Sequence, residues 1–146
     1  MPIVHQEVFT AGASVQELAV IRDFVTNVMN KTGIDDSYCH ELCLAIDEAC
    51  ANIMLHGTTN SQTTIKISLE CHEDHCKVLI QDNAASFNPM TIPAKDMDTY
   101  LREKNHGGLG IEIMRRIIDD IKYEQSKNMQ PWNTLSFKKF FRRPPH

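Results

Sequence analysis

The sequence lacks any long apolar run. None of its hydrophobic stretches approaches the ~20 residues that a membrane-spanning helix needs, so we expect no membrane partner. The first residues, Met1 to Glu7, have neither the basic segment nor the apolar segment of a secretion signal. These absences lead us to expect a cytoplasmic location.

An excess of basic charge is missing as well. The chain has 15 Lys and Arg residues against 19 Asp and Glu residues, which gives a formal net charge of -4. This mild acidity gives no electrostatic reason to expect direct binding to nucleic acid. One basic cluster, Lys138, Lys139, Arg142 and Arg143, lies close to the C-terminus, and we expect it to be a solvated strand end and tail.

The spacing of a disulfide framework is also absent. There are five cysteines, and an odd number without a secretion signal indicates reduced thiols. Cys39, Cys43 and Cys50 fall within a helical pattern and are predicted to be small buried hydrophobes. The other two bound the segment 71–76, Cys-His-Glu-Asp-His-Cys. Zinc is an alternative for this segment, but its spacing matches no common structural zinc pattern, and we favour a hairpin tip.

The composition that remains is that of an ordinary folded protein. The chain has 146 residues, of which 42% are hydrophobic and 23% charged, enough for one proper core and too apolar for wholesale disorder. No internal repeat, low-complexity tract or linker divides it. We therefore expect a single domain over residues 1–146.

Hydrophobic periodicity predicts both strands and helices. The predicted strands are 3–9, 64–69, 76–81, 123–126 and 133–140, and the predicted helices are 14–31, about 37–56 and a third after the glycines at 107–110. The third helix is predicted to face inward with Ile113, Met114, Ile117, Ile118 and Ile121. Antiparallel hairpins with helices gathered on one face make this an α+β two-layer sandwich with a mostly antiparallel sheet.

Local signals set the ends of the first two helices. Ser14 and Glu17 have the S-x-x-E spacing of a capping box. Gly33 is expected to end the first helix, and Asp35 or Asp36 to cap the second.

Two polar residues of the second helix stand out. Glu48 and Asn52 are four residues apart, so they project from the same face, which we place opposite the stripe that contains Leu42, Ile46 and Ile53. An amide oxygen beside a carboxylate can hold Mg²⁺, and the carboxylate can accept a proton. Alone the pair is weak evidence, because a solvated helix face often carries Glu and Asn at this spacing.

Two further segments carry recognisable chemistry. The glycine run 107–110 opens a helix, and its backbone N–H groups and the helix N-terminus suit a phosphate. A flexible turn explains such a run equally well. Asp82 ends a buried strand, where its carboxylate could accept the amine of adenine or form only an Asx-turn.

The order of these segments resembles that of the GHKL (histidine kinase-like) ATPase superfamily, whose fold is of the Bergerat type. Residues 48–52 (EACAN) resemble its N-box, 82–89 (DNAASFNP) its first glycine box, 107–111 (GGLGI) its second, and 133–135 (NTL) its final strand motif. The details are most similar to the anti-sigma factor serine/threonine kinases. The resemblance covers the chain from about Ser14 to Lys138.

The resemblance implies a role for each matched residue. Glu48 would be the catalytic base, Asn52 the Mg²⁺ ligand, and Asp82 the acceptor of the adenine amine, with Thr134 supporting it, directly or through water. The remaining residues that it assigns to the bound ATP are Ala84, Phe87, Gly107, Gly108, Leu109 and Gly110. Residues 90–106 would form the ATP lid.

The same resemblance implies partners and leaves an alternative open. It implies an ATP-dependent serine kinase that phosphorylates a small anti-anti-sigma antagonist and binds a sigma factor or an equivalent regulator, as a homodimer. Ala84 stands where the family often has glycine, and this departure favours the alternative of a non-catalytic ATP/ADP-binding switch. A piece of a larger sensor kinase is disfavoured, since no dimerisation helix with a phospho-accepting histidine precedes the domain.

Overall fold

The computed structural model describes residues 5–56, 62–84, 114–126 and 132–141. In chain order the elements are β1 (His5–Gly12), a 3₁₀ turn (Val15–Glu17), α1 (Leu18–Asn30), α2 (Asp36–His56), β2 (Thr64–Cys71), β3 (His75–Asp82), the helical residues 114–117 (α3), β4 (Asp120–Glu124) and β5 (Asn133–Phe140). The five strands form one sheet in the order β1-β2-β3-β5-β4, and every neighbouring pair is antiparallel. The expected α+β fold is confirmed.

The core lies between the sheet and the helices. The side chains of β2 and β5 alternate between buried and half-buried along most of each strand, as strands covered on one face require. Helix α1 buries Ile21, Val25, Val28 and Met29, which recur at the spacing of one helix face. Ile67 and Leu69 of β2 are fully buried beneath the helices.

Helix α2 packs through a stripe of apolar and small residues. Leu42, Ala45, Ile46 and Cys50 have no exposed surface, so this face is closed to water along most of the helix. Asp35 caps its start, because Oδ1 accepts hydrogen bonds from the Ser37 N–H and hydroxyl at 2.9 and 2.8 Å. These bonds hold the pKa of Asp35 below its usual value. No helix in the described ranges is long and apolar enough to span a membrane.

The capping box predicted at Ser14 and Glu17 does not form. Ser14 makes no side-chain cap bond, and its carbonyl accepts the Glu17 N–H at 2.9 Å in the 3₁₀ turn instead. Helix α1 therefore begins only at Leu18. Its end agrees with expectation, since Gly33 has φ of +72°, a conformation that glycine adopts at little cost.

The third helix ends earlier than its apolar pattern predicts. It ends at residue 117, and Ile121 lies on β4, where it pairs with Phe137 of β5. The edge of β5 accounts for this, because the Asp119 N–H donates to the carbonyl of Lys138 at 3.0 Å and starts the β4 pairing. Ile121 still packs against the core. It therefore fits the apolar spacing predicted for the helix, although it belongs to a strand. Ile113 lies outside the described residues.

Lys139 contradicts the expected solvated strand end. Only 6% of it is exposed; its Nζ donates to the carbonyl of Ile117 at 2.6 Å and lies 2.8 Å from Glu41 Oε2. The ammonium also sits over the ring of Tyr38, 5.5 Å from its centroid. Lys139 therefore joins β5 to α2 and to the last carbonyls of α3, where a cation is favourable.

We expect Lys139→Met to lower the free energy of unfolding by about 1–3 kcal/mol, since it leaves the Ile117 carbonyl without its buried donor. Lys138→Met is the matched control, because Lys138 is half-buried on the opposite face of β5, and it should change stability by no more than about 0.5 kcal/mol. Urea unfolding measures both. Equal losses in the two variants would mean that the buried contacts contribute nothing specific.

Candidate nucleotide-binding site

Asn52 is a buried amide for which the described part of the chain provides no hydrogen-bond partner. Only 1% of the residue is exposed, and within the described residues neither Nδ2 nor Oδ1 makes a hydrogen bond. The interpretation that Glu48 and Asn52 lie on a solvated helix face is therefore wrong for Asn52. An unsatisfied buried amide costs about 1–3 kcal/mol, and such a group in a native protein calls for an explanation, of which a bound ion is one.

Glu48 lies one helical turn before Asn52 and is half-buried. Its neighbour Asp47 pairs with Arg22 of α1, whose Nη2 donates to Asp47 Oδ2 at 3.2 Å. The hydrogen bond and charge of Asp47 raise the pKa of Arg22, and the negative charge of Glu48 adds to this increase. A cationic group thus lies within electrostatic reach of the Glu48 carboxylate.

Asp82, at the end of β3, is 6% exposed. Its Oδ1 accepts two hydrogen bonds of 3.0 Å, one from the Ala84 N–H and one from Asn133 Nδ2. Burial raises the pKa of this carboxyl, and the two hydrogen bonds oppose the increase. Both bonds end on Oδ1, so Oδ2 is the oxygen that a ligand amine would approach.

Thr134 lies beside Gln81 and not beside Asp82, so the structure does not show the direct form of the expected support. Successive side chains of a strand point to opposite faces, and the strand register pairs Asp82 with Asn133 and Gln81 with Thr134. Accordingly, Thr134 Oγ1 accepts a bond of 3.4 Å from Gln81 Nε2, while Asn133 holds Asp82. Period-two counting from the buried Leu135 would have placed Asn133 on the inner face.

Ala84 is buried and fixed from both sides. Its N–H donates to Asp82, and its carbonyl accepts Asn133 Nδ2 at 2.9 Å. Asp82, Ala84 and Asn133 therefore form one hydrogen-bonded group at this end of the sheet.

Helix α2 brings Asn52 towards the same end. Glu41 contacts Lys139, and the eleven residues from Glu41 to Asn52 span about 16 Å of helix. The six residues from Lys139 back to Asn133 span about 20 Å of strand, in the same direction. Cys50 is near enough to Asp82 for that carboxylate to contribute to its raised pKa, after burial and the charge of Asp47.

These residues fit magnesium and a nucleotide. An unpartnered amide oxygen is a ligand that Mg²⁺ accepts, and a buried carboxylate with an oxygen to spare suits an exocyclic amine. The expected ligand residues Phe87, Gly107, Gly108, Leu109 and Gly110, and the expected lid at 90–106, lie outside the described residues.

Comparison with known proteins shows the family of the chain. The model of the histidine kinase-like ATPase domain matches residues 12–139. The chain therefore belongs to the histidine kinase-like ATPase family, the GHKL type expected from its motifs, for which ATP is the characteristic substrate.

The three similar proteins described next share the same name. The chain is similar to proteins named serine-protein kinase RsbW, with 28% identity for that of Bacillus mycoides (strain KBAB4) and 27% for that of Bacillus cereus (strain AH187). A third, from Bacillus cereus (strain G9842), is 26% identical. Each match spans 121 residues, which is 80% of this chain and 76% of the relative.

Proposed function

We propose that this protein is an ATP-dependent serine kinase that phosphorylates a small antagonist of the anti-anti-sigma type and sequesters a sigma factor or an equivalent regulator. The observation that carries the proposal is Asn52, a buried amide whose atoms find no hydrogen-bond partner in residues 5–56, 62–84, 114–126 and 132–141, one turn from the carboxylate of Glu48. The relatives named serine-protein kinase support the choice of serine as acceptor.

The residues of the candidate site have separate roles in the proposed reaction. Asp82 accepts the adenine amine, and Asn133 fixes the orientation of its carboxylate. The Asn52 oxygen binds Mg²⁺, which when bound supplies charge neutralisation to the phosphates. The serine hydroxyl oxygen forms a bond to the γ-phosphorus while the bond between that phosphorus and ADP breaks. Glu48 accepts the proton that the serine hydroxyl loses. Because phosphoryl transfer depends mainly on positioning and charge, one base suffices on the protein side.

Glu48→Gln tests the kinase activity. Without the base, we expect transfer of labelled γ-phosphate from ATP to the antagonist encoded nearest to the gene to fall by about 10²–10⁴-fold. ATP affinity should change little, because Glu48 is not the metal ligand. Glu41→Gln is the matched control, since it makes the same change on the same helix at the Lys139 contact, and its transfer rate should stay near that of the wild type. Unchanged transfer by Glu48→Gln would exclude Glu48 as the base.

Ala84 favours a second candidate, a non-catalytic switch that exchanges partners with ATP or ADP. Its methyl group is buried in the turn that holds Asp82, where the resemblance leads us to expect glycine. The assay above separates the two functions. Tight ATP binding with no label on the antagonist, together with regulator binding that differs between ATP and ADP, would establish the switch and exclude the kinase.

We also propose that the protein acts as a homodimer. The open face of the sheet carries exposed apolar side chains, among them Leu79 and Phe140, which are 40% and 47% exposed. Sedimentation of the purified chain measures its mass directly, and a monomer at micromolar concentration with ATP present would contradict a stable dimer.

A further inference from the structure

The two cysteines of the β2–β3 hairpin face each other at its closed end. Cys71 is the last residue of β2, and the register pairs it with Cys76 of β3. Both residues are fully buried. The two sulfurs are 2.7 Å apart, with the Cys76 thiol donating to the Cys71 sulfur. These are the first and last residues of the Cys-His-Glu-Asp-His-Cys segment. This segment has no role in the candidate nucleotide site.

The backbone at this pair suits a disulfide. His72 donates its N–H to the carbonyl of His75 at 2.8 Å, so the 72–75 pair carries the hydrogen bond. Because bonded and non-bonded pairs alternate along an antiparallel ladder, Cys71 and Cys76 form a non-hydrogen-bonded pair, in which Cα atoms are about 4.5 Å apart. Disulfides span Cα separations of about 4.4–6.8 Å, so closure requires little backbone movement.

The histidines between the cysteines are engaged with other groups. His72 Nε2 lies 2.8 Å from Glu70 Oε2, and His75 Nδ1 lies 2.6 Å from Asp74 Oδ1. Among the described residues, no three His, Cys, Asp or Glu side chains are grouped so as to hold a metal ion. The cysteine pair is therefore better placed to react with itself than to bind zinc.

The two thiols also differ in acidity. The hydrogen bond from Cys76 lowers the pKa of Cys71, and the same bond raises the pKa of Cys76. Burial raises the pKa of Cys39 to about 11 and also raises those of Cys43 and Cys50. Cys71 is thus the one of the five cysteines whose pKa is lowered, so it forms the thiolate, which is the reactive form, more readily than the other four.

We propose that Cys71 and Cys76 are a redox modification site that closes reversibly into an intramolecular disulfide on reaction with a peroxide. The Cys71 thiolate attacks one peroxide oxygen, the O–O bond breaks, hydroxide leaves and Cys71 becomes a sulfenic acid. The Cys76 sulfur then attacks the Cys71 sulfur, and the S–S bond forms with release of water. In total two thiols are oxidised and one hydrogen peroxide is reduced to two waters.

Because both sulfurs are fully buried, the proposed reaction requires local opening of the adjacent hairpin tip. Glu73, at that tip, is exposed, and local opening of a chain reversal costs less than unfolding of the sheet. Reaction with peroxide is therefore gated by this opening. The proposal does not depend on kinase activity, because the pair lies at the opposite end of β3 from Asp82.

Peptide mapping tests the site in the unaltered protein. Lys66 and Lys77 are the flanking trypsin sites, so residues 67–77 form one peptide that contains both cysteines and none of the other three. The reduced protein is treated with hydrogen peroxide, denatured, alkylated with iodoacetamide and digested. We expect this peptide to lose both alkylation sites and to weigh two hydrogens less than its dithiol form, and dithiothreitol to restore both sites.

Two variants serve as controls. Cys43→Ala keeps the pair and should give the same peptide result as the wild type. Cys76→Ala should prevent the loss of two hydrogens and leave Cys71 to oxidise further to sulfinic acid or to form a mixed disulfide. The proposal is overturned if the wild-type peptide retains two alkylated cysteines after peroxide treatment, or if its cysteines are linked only between different chains.

Discussion

Replacing Asn52 by leucine should make the nucleotide-free protein more stable and abolish its magnesium-dependent binding of ATP. Both effects follow from the buried amide, which has no hydrogen-bond partner among the described residues. Leucine has the same number and branching of side-chain heavy atoms and removes a desolvation cost of about 1–3 kcal/mol, so thermal unfolding should move up by a few degrees. The same substitution removes the oxygen ligand proposed for Mg²⁺.

Calorimetry with and without magnesium separates the two effects. The wild type should bind ATP about 100-fold or more tightly with magnesium than without it, a coupling of ~3 kcal/mol, and Asn52→Leu should lose this difference. Urea unfolding of the nucleotide-free proteins gives the change in stability.

Asn133→Leu is the contrasting control. Asn133 is as deeply buried as Asn52, but it donates to Asp82 Oδ1 and to the Ala84 carbonyl, and its Oδ1 accepts the Ser126 N–H at 2.9 Å. Leucine there leaves these groups unsatisfied, and we expect a loss of about 2 kcal/mol or more. If Asn52→Leu is destabilised as much as Asn133→Leu, Asn52 has a structural partner and the inference about magnesium fails.

The fold was predictable wherever one local pattern decided it. The strands alternate with period two, and α1 and α2 carry continuous apolar stripes, so their positions follow from hydrophobicity alone. The errors occur where two local structures compete. Ile121 fits a helical spacing, but the open edge of β5 offers hydrogen bonds that begin at Asp119. Ser14 has the spacing of a cap, but its backbone carbonyl already holds a 3₁₀ turn.

In the candidate site, positions along the chain were predictable and side-chain environments were not. The motif around β5 was found, but the side chain that holds Asp82 is Asn133 and not Thr134, because a shift of one residue changes the face of the sheet. The burial of Asn52 and Lys139 depends on segments far away in sequence. Lys139 contacts Glu41 and Tyr38 from about 100 residues away, and no local pattern reports such a contact.

Asp82→Asn should preserve the fold and remove the preference for ATP. Asparagine keeps an oxygen that can accept the bonds from Ala84 and Asn133, but places an amino group where Oδ2 was. A charge-assisted hydrogen bond contributes about 1.5–3 kcal/mol, so ATP affinity should fall by about 100-fold. Guanine presents an oxygen where adenine presents an amine, and the new amino group can donate to it. The ratio of ATP to GTP affinity should therefore collapse, whereas Asp120→Asn, an exposed carboxylate on β4, should keep it.

The same variant has a pH signature in the nucleotide-free state. Burial raises the pKa of Asp82, so between the usual carboxyl value of about 3.9 and that raised value the folded protein holds more protons than the unfolded chain. The contribution of this group to the unfolding free energy therefore decreases as pH rises through the window, and the full cost of burying the ionised carboxylate is present above it.

Asp82→Asn has no such titration. The unfolding free energy of the variant minus that of the wild type should thus increase with pH across the window and then level off, and urea unfolding at successive pH values measures it. A difference that stays constant with pH would show that the Asp82 carboxylate bears no burial cost, and an unchanged ATP-to-GTP ratio would show that it does not recognise the base.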